Sequence, residues 1–549
     1  MNKPSLLAMA VALAYVTTPL AAPFMPMDAR GMAMGHTGVA SAQRAHAPAY
    51  NPSLLAQADD SDDFALILPQ LGVQVRDEEE LAQTAEDISD DLQPRLERLI
   101  DGDGAIPGYE ERIESLDAAI RAFDVAVRNA LNSSGPIDQR LDDLATTNTA
   151  LRSELDDIED SLQEVNSVST ELTDALRSIS GNPLSGRLGV AASMAFPGKQ
   201  FAAAVSVRGK AMFSGRALFT DSDLGLIDAY APAGLQYTRA AQAASDDVAR
   251  ALELAQDSPG QPEVILLAEL NRDDNNNGVR DLEENLNNIL GFDFTSEQGV
   301  EIFRDGTLTE EASDPDLDSR VEGVGIAIAE VGLSLAREFS IADRAVAIGV
   351  TPKVQRVSTF HYVTEVDNEE EFEIDDIEDS REDYSSFNMD IGASMRFGHL
   401  SRITAGLMIK DVLGGDYDYQ ATEVRTGLNP ANPVTVKGGT ISLDPQVRAA
   451  ISYSDGTTTL AFDLDLIEND PVAYEIPTQY AAFGAEFDLW NTLQLRGGYR
   501  ANLAATDSDV MSAGFGISPF GIHLDIAVVA NPSKLEKEAG VALETGFYF

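Results

Sequence analysis

A twelve-residue stretch beginning at Asp273 has the residue types and spacing of an EF-hand-like calcium loop. Oxygen-bearing side chains occupy positions 1, 3, 5, 9 and 12 of the stretch, and these are Asp273, Asn275, Asn277, Asp281 and Glu284. Position 6 is Gly278, which permits a sharp turn, and position 7 is Val279, whose backbone carbonyl is the ligand expected there. Calcium prefers about six to eight oxygen ligands in a flexible cage, so the sequence predicts a calcium site that Glu284 closes. The alternative is an Asn- and Asp-rich turn that binds no metal.

The rest of the sequence offers little other chemistry. Cysteine is absent, which excludes thiol catalysis, disulfide frameworks and cysteine-ligated zinc. We find no nucleophile motif, phosphate-binding loop or dinucleotide fingerprint, so we do not expect an enzyme. The five histidines share no metal-ligand spacing and are interpreted as structural residues: His36, His46, His361, His399 and His523.

The charge of the chain is strongly negative. Its 549 residues include 38 Lys plus Arg against 91 Asp plus Glu, a net charge of −53. A polyanion repels phosphate, so no nucleic-acid partner is expected. With 44% hydrophobic residues, the chain can still bury a substantial core.

Residues 1–22 have the pattern of a secretory signal peptide. Lys3 precedes an apolar run from Leu6 to Val16, and the small residues Ala21 and Ala22 follow. The run is shorter than the roughly 20 residues of a membrane-spanning helix, which disfavours the alternative of an uncleaved anchor. We therefore expect an exported protein without a helical anchor.

Beyond residue 187, apolar and polar side chains alternate along the chain. Leu495 and Tyr499, for example, alternate with Arg496 and Arg500. A period of two is typical of β-strands with one apolar and one polar face. A soluble sandwich shows the same alternation, so the pattern alone leaves two architectures open. Fourteen candidate strands are present, at 63–75, 187–197, 200–213, 322–337, 343–360, 384–398, 401–411, 439–454, 457–467, 477–488, 491–502, 509–517, 521–530 and 540–549.

Loop lengths and strand number favour a membrane barrel over a sandwich. Short turns such as 197–200 and 398–400 alternate with longer loops. An even number of strands of about ten residues, with short turns on one rim and long loops on the other, is typical of an outer-membrane β-barrel. We therefore predict an all-β membrane barrel of about 14 antiparallel strands, formed by 63–76 and 187–549 and surrounded by outer-membrane lipid.

Charged residues on the inward faces of these strands are expected to pair with one another, and the alternative is a selectivity ring. The residues concerned are Arg396, Arg448, Arg496, Arg500, Asp463, Asp465, Asp525 and Glu544.

The end of the chain carries a separate signal. Phe547 and Phe549 belong to an amphipathic strand that closes on an aromatic residue. This ending resembles the signal that hands outer-membrane barrels to the barrel assembly machinery. An ordinary C-terminal edge strand is the alternative.

Three insertions interrupt the barrel. Residues 77–181 are predicted to be helical, and a 4-3 spacing of apolar residues with Asn148 at one core position predicts a coiled-coil hairpin. Residues 214–321 hold an Ala-rich helix and the calcium-like loop. Residues 361–383 are strongly acidic and are interpreted as a solvated loop, with a diffuse divalent-cation sink as the alternative.

The N-terminal region resembles a known family. The stretch Ala29-Arg30-Gly31-Met32-Ala33-Met34-Gly35 and the box Asn51-Pro52-Ser53-Leu54-Leu55-Ala56 resemble the signature of FadL-type outer-membrane proteins. Within that superfamily, the helical insert and the stretches 483–486 and 495–499 are most similar to the conjugal transfer TraF-like branch. The resemblance implies a fourteen-strand barrel with an N-terminal hatch at 23–62, formed in part by Gly31, Gly35, Asn51, Pro52 and Ser53. A flexible N-terminal linker is the alternative to the hatch.

Two departures from the family pattern limit what the resemblance implies. The box has Ser53 where the family has Ala, and fatty-acid transporters lack the large helical insert. FadL-type proteins pass hydrophobic compounds, so we expect a channel for a hydrophobic or amphipathic small molecule in a Gram-negative-type outer membrane, with its long loops outward. A second hypothesis is a surface scaffold or conjugation-associated protein that displays a coiled-coil stalk.

Overall fold

The computed structural model of the chain describes most of the sequence. The described residues are 24–57, 64–77, 79–102, 107–132, 135–313, 315, 317–341, 344–366, 374–424, 434–469, 471–490, 492–506 and 508–548. The predicted signal peptide, residues 23 and 58–62 of the predicted hatch, and Phe549 lie outside them.

Fourteen antiparallel strands form a closed barrel in which each strand pairs with its neighbours in the chain. The last strand pairs with the first, from Ala65 opposite Tyr548 to Arg76 opposite Glu538. The prediction of a closed fourteen-strand barrel is confirmed. The strands are β1 Ala65–Arg76, β2 Pro183–Phe196, β3 Ala202–Leu218, β4 Arg320–Ile341, β5 Arg344–Glu365, β6 Glu382–Phe397, β7 Ile403–Lys410, β8 Gln446–Ser454, β9 Thr458–Asp465, β10 Tyr480–Leu489, β11 Leu493–Asn502, β12 Val510–Ile517, β13 Ile522–Ala530 and β14 Glu538–Tyr548.

The two faces of the barrel wall differ in polarity. On β11, Leu495 and Tyr499 are exposed on the outside, whereas Arg496 and Arg500 are buried inside. The same alternation runs through the other strands, so the wall exposes apolar side chains and encloses charged ones. This arrangement is the reverse of a soluble barrel and suits an apolar surrounding.

Helices occupy the N-terminal segment and the longest loops. Single turns of 3-10 helix lie at Pro52–Gln57, His399–Ser401 and Pro519–Gly521. No helix among the described residues is long and apolar enough to span a bilayer. The helices are α1 Ala29–Ala33, α2 Ala47–Tyr50, α3 Leu81–Asp87, α4 Gln93–Ile100, α5 Tyr109–Asn132, α6 Ile137–Ile179, α7 Asp221–Gln256, α8 Pro262–Leu270, α9 Asp281–Leu290, α10 Glu310–Ser313 and α11 Ile374–Asp379.

The two largest insertions share one hydrophobic core. α5 and α6 form an antiparallel hairpin, and α7 packs along α6. Asn148 is buried on α6, where its side-chain oxygen accepts a hydrogen bond from the Ser245 hydroxyl of α7 at 2.8 Å. The seam of the helical stretch 77–181 is thus covered by a helix from 214–321, a partner that the heptad pattern does not specify. We call residues 79–179 and 221–313 the helical domain.

Smaller sheets complete the loops. Three short strands, Phe294–Thr295, Glu301–Arg304 and Thr307–Leu308, pair within the helical domain. Two hairpins lie between β7 and β8, where Asp416–Tyr419 pairs with Gly439–Ser442 and Thr422–Val424 pairs with Val434–Val436. These hairpins lie at the long-loop rim of the barrel.

Candidate functional site in the barrel lumen

Residues 24–57 lie inside the barrel, and we call them the lumenal segment. Most of their side chains are buried, and the others are half-buried. α1 contacts β1 and β11 to β14, while the turn Pro52–Gln57 contacts β3 to β6 on another side of the wall. The segment therefore crosses the lumen and is held by side chains and backbone contacts, without joining the sheet.

Inward-facing glycines of the wall make room for this segment. A Cβ atom at Gly392 would lie 2.0 Å from the Asn51 side-chain oxygen, and one at Gly484 would lie 2.5 Å from the Met34 carbonyl oxygen. Distances this short exclude any side chain at these positions. Glycines at these wall positions therefore leave the space that the lumenal segment occupies.

The Asn51-Pro52-Ser53 box forms the contact with β6. The Asn51 amide donates to the Val39 carbonyl at 2.9 Å, and its oxygen accepts the Ser53 backbone N–H at 3.1 Å. The Ser53 hydroxyl lies 2.7 Å from the Ser394 hydroxyl of β6. The departure from the family's alanine therefore has a polar partner in the wall.

The predicted glycines of the segment occupy crowded positions. A Cβ atom at Gly31 would lie 1.7 Å from the Tyr50 hydroxyl. Gly35 has a φ of +68°, and its N–H donates to the Ser512 hydroxyl of β12 at 3.0 Å. Both positions require glycine, one for space and the other for its backbone conformation.

Buried charges join the segment to the wall. Arg30 makes two hydrogen bonds of 3.0 Å to Glu486, which also pairs with Arg496 at 2.6 Å. Asp463 accepts the backbone N–H groups of Gly38 and Val39 at 2.9 and 3.0 Å. A bidentate arginine–carboxylate pair of this kind fixes both distance and orientation.

Some inward-facing charges pair as the sequence analysis expected, and others have different partners. Arg448 pairs with Asp465 at 2.6 Å, and Arg496 pairs with Asp525. Arg500 instead pairs with Glu538. Glu544 pairs with a histidine of the lumenal segment, His46, at 2.7 Å.

A second charged cluster, absent from the sequence predictions, lies in the middle of the lumen. The Lys353 ammonium is fully buried and lies 2.8 Å from Asp390, 2.7 Å from Asp411 and 3.4 Å from Glu330. In the sequence, Lys353 stands among other polar inward positions of β5, such as Thr351 and Gln355, so nothing sets it apart. Removing its charge would leave three buried carboxylates without their shared cation.

Two further lysines line a cavity of about 60 Å³ beside this cluster. Lys410 is buried, and its ammonium lies 5.1 Å from the centroid of the Phe24 ring. Within the described part of the chain, neither Lys410 nor Lys210 has a carboxylate oxygen within 4.0 Å. Arg208 and Glu330 also line the cavity, so an anionic group there would have three cationic neighbours and one carboxylate neighbour.

An apolar patch lies above this cavity, toward the long-loop rim. Along β4 the inward positions change from Ile326 and Ile328 to Glu330, and β3 places Met212 opposite Ile326 and Lys210 opposite Ile328. Successive inward positions thus pass from apolar to charged as the chain descends into the barrel.

Side chains of the long loops pack on this patch. In the loop 466–479, Val472 is buried against the patch and Glu475 pairs with Arg187 of β2 at 2.5 Å. The Tyr474 hydroxyl donates to Glu322 at 3.1 Å, and burial, with the nearby Glu322 carboxylate, raises the pKa of Tyr474. Tyr474 therefore stays a neutral donor at physiological pH.

The calcium-like loop precedes α9 in the helical domain. Asp273 accepts the backbone N–H groups of Asn277 and Gly278 at 3.1 and 2.9 Å, and Gly278 has a φ of +86°. The side chains of Asn275 and Asn277 lie 3.0 and 3.3 Å from Glu284. Asp281 accepts the backbone N–H of Asp274 at 3.2 Å and lies 3.6 Å from Arg272, and the exposed Val279 donates its N–H to Asn277. Four of the six predicted ligands therefore approach one another.

The chain is similar to a known protein family over most of its length. A family model described as "F plasmid transfer operon, TraF, protein" matches residues 48–465, which is more than half of the chain. No match was found among curated proteins.

Several solved structures are similar to the whole chain. The Ralstonia pickettii toluene transporter TbuX has a TM-score of 0.43 and 9% identity, covering 96% of this chain and 99% of that one. The Pseudomonas putida toluene transporter TodX has a TM-score of 0.40 and 9% identity over 96% and 99% of the two chains. A Pseudomonas aeruginosa FadL homologue has a TM-score of 0.40 and 10% identity over 96% and 99%.

Proposed function

The chain belongs to the family of F plasmid transfer operon TraF proteins, and with that family and the closed barrel as premises we propose that it is an outer-membrane channel for hydrophobic or amphipathic small molecules. In this proposal the lumenal segment is a hatch that closes the lumen. The long loops and the helical domain face outward.

The outer surface supports the membrane location. Apolar side chains are exposed on outward positions all round the barrel, for example Leu71, Phe213, Val354, Phe462 and Val528. Soluble monomers rarely expose continuous apolar surface on this scale, because it costs about 25 cal/mol for each Å² in water. Trp490 is 85% exposed at a short turn, where an interfacial anchor is expected.

The observation that carries the channel proposal is the lumenal segment itself. It fills the barrel but forms no strand of the wall, so it can move without breaking the sheet. A barrel that served only as an anchor could have about eight strands and fill its lumen with wall side chains, so it would need no separate element. Phe547 pairs with Leu66 and Ile522 at the barrel seam, in accord with a last strand that is read by the barrel assembly machinery.

An apolar surface and a charged surface lie next to each other in the lumen, which supports an amphipathic ligand. An apolar patch that includes Ile326 and Ile328 lies next to a cavity with Lys210 and Lys410. A ligand with an apolar tail and an anionic head would match both surfaces. Entry would require the loop 466–479 to lift, because its side chains occupy the patch.

We expect Lys410→Met to weaken binding of a fluorescent long-chain carboxylic acid by about tenfold to a hundredfold. A hydrogen bond to a charged group contributes about 1.5–3 kcal/mol, which gives this range. Binding is measured by fluorescence titration of the folded barrel in detergent micelles. Lys534→Met, which removes an exposed lysine outside the lumen, is the matched control. Equal loss of binding for the corresponding alcohol, or no loss for the acid, would contradict the head-group assignment.

A second candidate function is a surface scaffold. The helical domain has its own core, so it can present a rigid surface independently of the lumen. Under this alternative, deleting residues 28–56 changes neither uptake nor binding of a hydrophobic probe.

We further propose that the loop from Asp273 to Glu284 binds calcium. The approach of Asn275 and Asn277 to Glu284 supports this proposal. The oxygen and nitrogen of a side-chain amide exchange positions when the group turns by 180°, so either atom can face Glu284. A rotation of both amides would turn their oxygens toward the carboxylate and an ion held by it.

Calcium is expected to protect the region around Asp273 from limited proteolysis. Asp273→Ala combined with Glu284→Ala should abolish that protection, since it removes the first and last ligands. Glu283→Ala, one residue away on the same helix, should leave protection unchanged. Protection that persists in the double variant would rule out calcium at this loop.

A further inference from the structure

A histidine and two carboxylates meet where the lumenal segment reaches the last strand, and we propose that Asp28, His46 and Glu544 bind one divalent transition-metal ion such as zinc. The His46 Nε2 atom lies 2.7 Å from a Glu544 oxygen and 3.8 Å from an Asp28 oxygen. The three ligand atoms all lie within 4.8 Å of one another. Two ligands come from the lumenal segment and one from β14, so the ion would join hatch and wall.

The distances suit a small ion. Zinc takes nitrogen and carboxylate oxygen at about 2.0–2.2 Å, which places ligand atoms of a tetrahedral site roughly 3.4 Å apart. The observed separations of 2.7 and 3.8 Å bracket that value. The third pair, Asp28 and Glu544, lies within 4.8 Å, so the three side chains must draw together around the ion.

The second carboxylate oxygen of Glu544 is free to bind an ion. Glu544 is 1% exposed, and its second oxygen, Oε2, has no hydrogen-bond partner within the described residues. A buried carboxylate oxygen without a partner costs about 1–3 kcal/mol or more. A bound cation would remove that cost.

The charge balance points to a divalent ion. Arg30 and Arg496 connect this site to Glu486 and Asp525, and Asp525 lies directly opposite Glu544 in the sheet. Two guanidinium groups and four carboxylates are thus linked through ion pairs and neighbouring strand positions, and these side chains carry a charge of −2 when His46 is neutral. Protonation of His46 would leave −1 in a buried site, whereas a divalent ion with neutral His46 leaves zero. The connected charges are Arg30, Arg496, Asp28, Glu486, Asp525 and Glu544.

Contacts behind the ligands would hold them in place. The Tyr50 hydroxyl donates to Asp28 at 2.6 Å, and the Gly31 N–H donates to the same carboxylate at 2.5 Å. Such outer contacts orient ligands in metal sites. The mixture of imidazole and carboxylate favours zinc, cobalt or nickel over calcium, which prefers oxygen alone.

The test uses residues 23–549, carrying a tag without histidine and refolded in detergent with zinc or with EDTA. After dialysis we expect one tightly bound zinc per folded chain by elemental analysis. Cobalt in its place should give visible absorption bands of a four- or five-coordinate site with a nitrogen ligand. Glu544→Gln and His46→Gln should each lose the bound zinc and the cobalt bands.

Glu538→Gln is the matched control, because Glu538 is an equally buried carboxylate on β14 that pairs with Arg76 and Arg500 instead. It should keep the metal. Substoichiometric zinc in the wild type, or zinc retained by Glu544→Gln, would overturn the proposal. The cobalt spectrum of the wild type decides the question even if a variant fails to fold. Metal content does not depend on transport, so failure here leaves the channel proposal standing.

Discussion

Deleting residues 28–56 is expected to convert a closed barrel into a conducting one. The lumenal segment reaches β1, β3 to β6 and β11 to β14, so its removal opens a continuous space along most of the wall. Barrels of eight strands are filled by their own side chains, whereas those of 16–18 strands leave an aqueous channel, and a fourteen-strand barrel lies close to the latter. Single-channel recording in planar bilayers should show silence in the wild type and stable porin-like openings in the deletion variant.

The long loops do not fill the space that the segment occupies. Their buried side chains pack on a patch formed by β3, β4 and β5, such as Met212, Ile326 and Val357. On the opposite side of the lumen, α1 of the segment contacts β11 to β14. A deletion variant as silent as the wild type, with its barrel intact by heat-modified gel migration, would contradict this prediction.

A matched pair of point variants refines the test. A Cβ atom at Gly498 would lie 2.2 Å from the Gly35 nitrogen, so Gly498→Val should displace the segment and give partial or flickering openings. Gly497 is adjacent on the same strand but faces outward, and its nearest atom is 3.8 Å away. Gly497→Val should therefore remain silent.

The barrel itself was accessible from the sequence because strand alternation is a local property. Each strand shows its inward and outward faces through neighbouring residues, as Leu495 and Arg496 do on β11. All fourteen predicted strands overlap strands of the barrel, and most of their ends are shifted by a few residues. The predicted strand 439–454 is wrong at its start, because Gly439–Ser442 pairs with Asp416–Tyr419 in a loop hairpin and β8 begins only at Gln446. Some inward ion pairs followed as well, since Arg448 and Asp465 lie opposite each other in the register of β8 and β9.

The contacts of the lumen were not accessible in the same way. His46 and Glu544 are 498 positions apart in the sequence, and no spacing rule connects them. Lys353 and its carboxylates come from four separate parts of the wall and its loops. Likewise, the heptads of α6 predict an apolar seam but do not show that α7 covers it. An apolar stripe on a helix must pack against another element, but the stripe does not identify that element.

The most direct test of the central claim is a reversible lock between hatch and wall. The hydroxyls of Ser53 and Ser394 are 2.7 Å apart, so cysteines at both positions are placed to form a disulfide. The chain has no cysteine of its own, so no other pair competes. The hydroxyls of Ser334 and Thr351 are 2.8 Å apart on neighbouring wall strands, and Ser334→Cys with Thr351→Cys is the matched control.

The measurement is uptake of the fluorescent long-chain carboxylic acid into proteoliposomes containing each double variant, oxidised and then reduced. If the lumenal segment must move for passage, oxidised Ser53→Cys with Ser394→Cys loses uptake and recovers it after reduction, while the wall-to-wall control transports in both states. Equal uptake by the locked and reduced forms of Ser53→Cys with Ser394→Cys would contradict a hatch-gated channel and leave the scaffold function in its place.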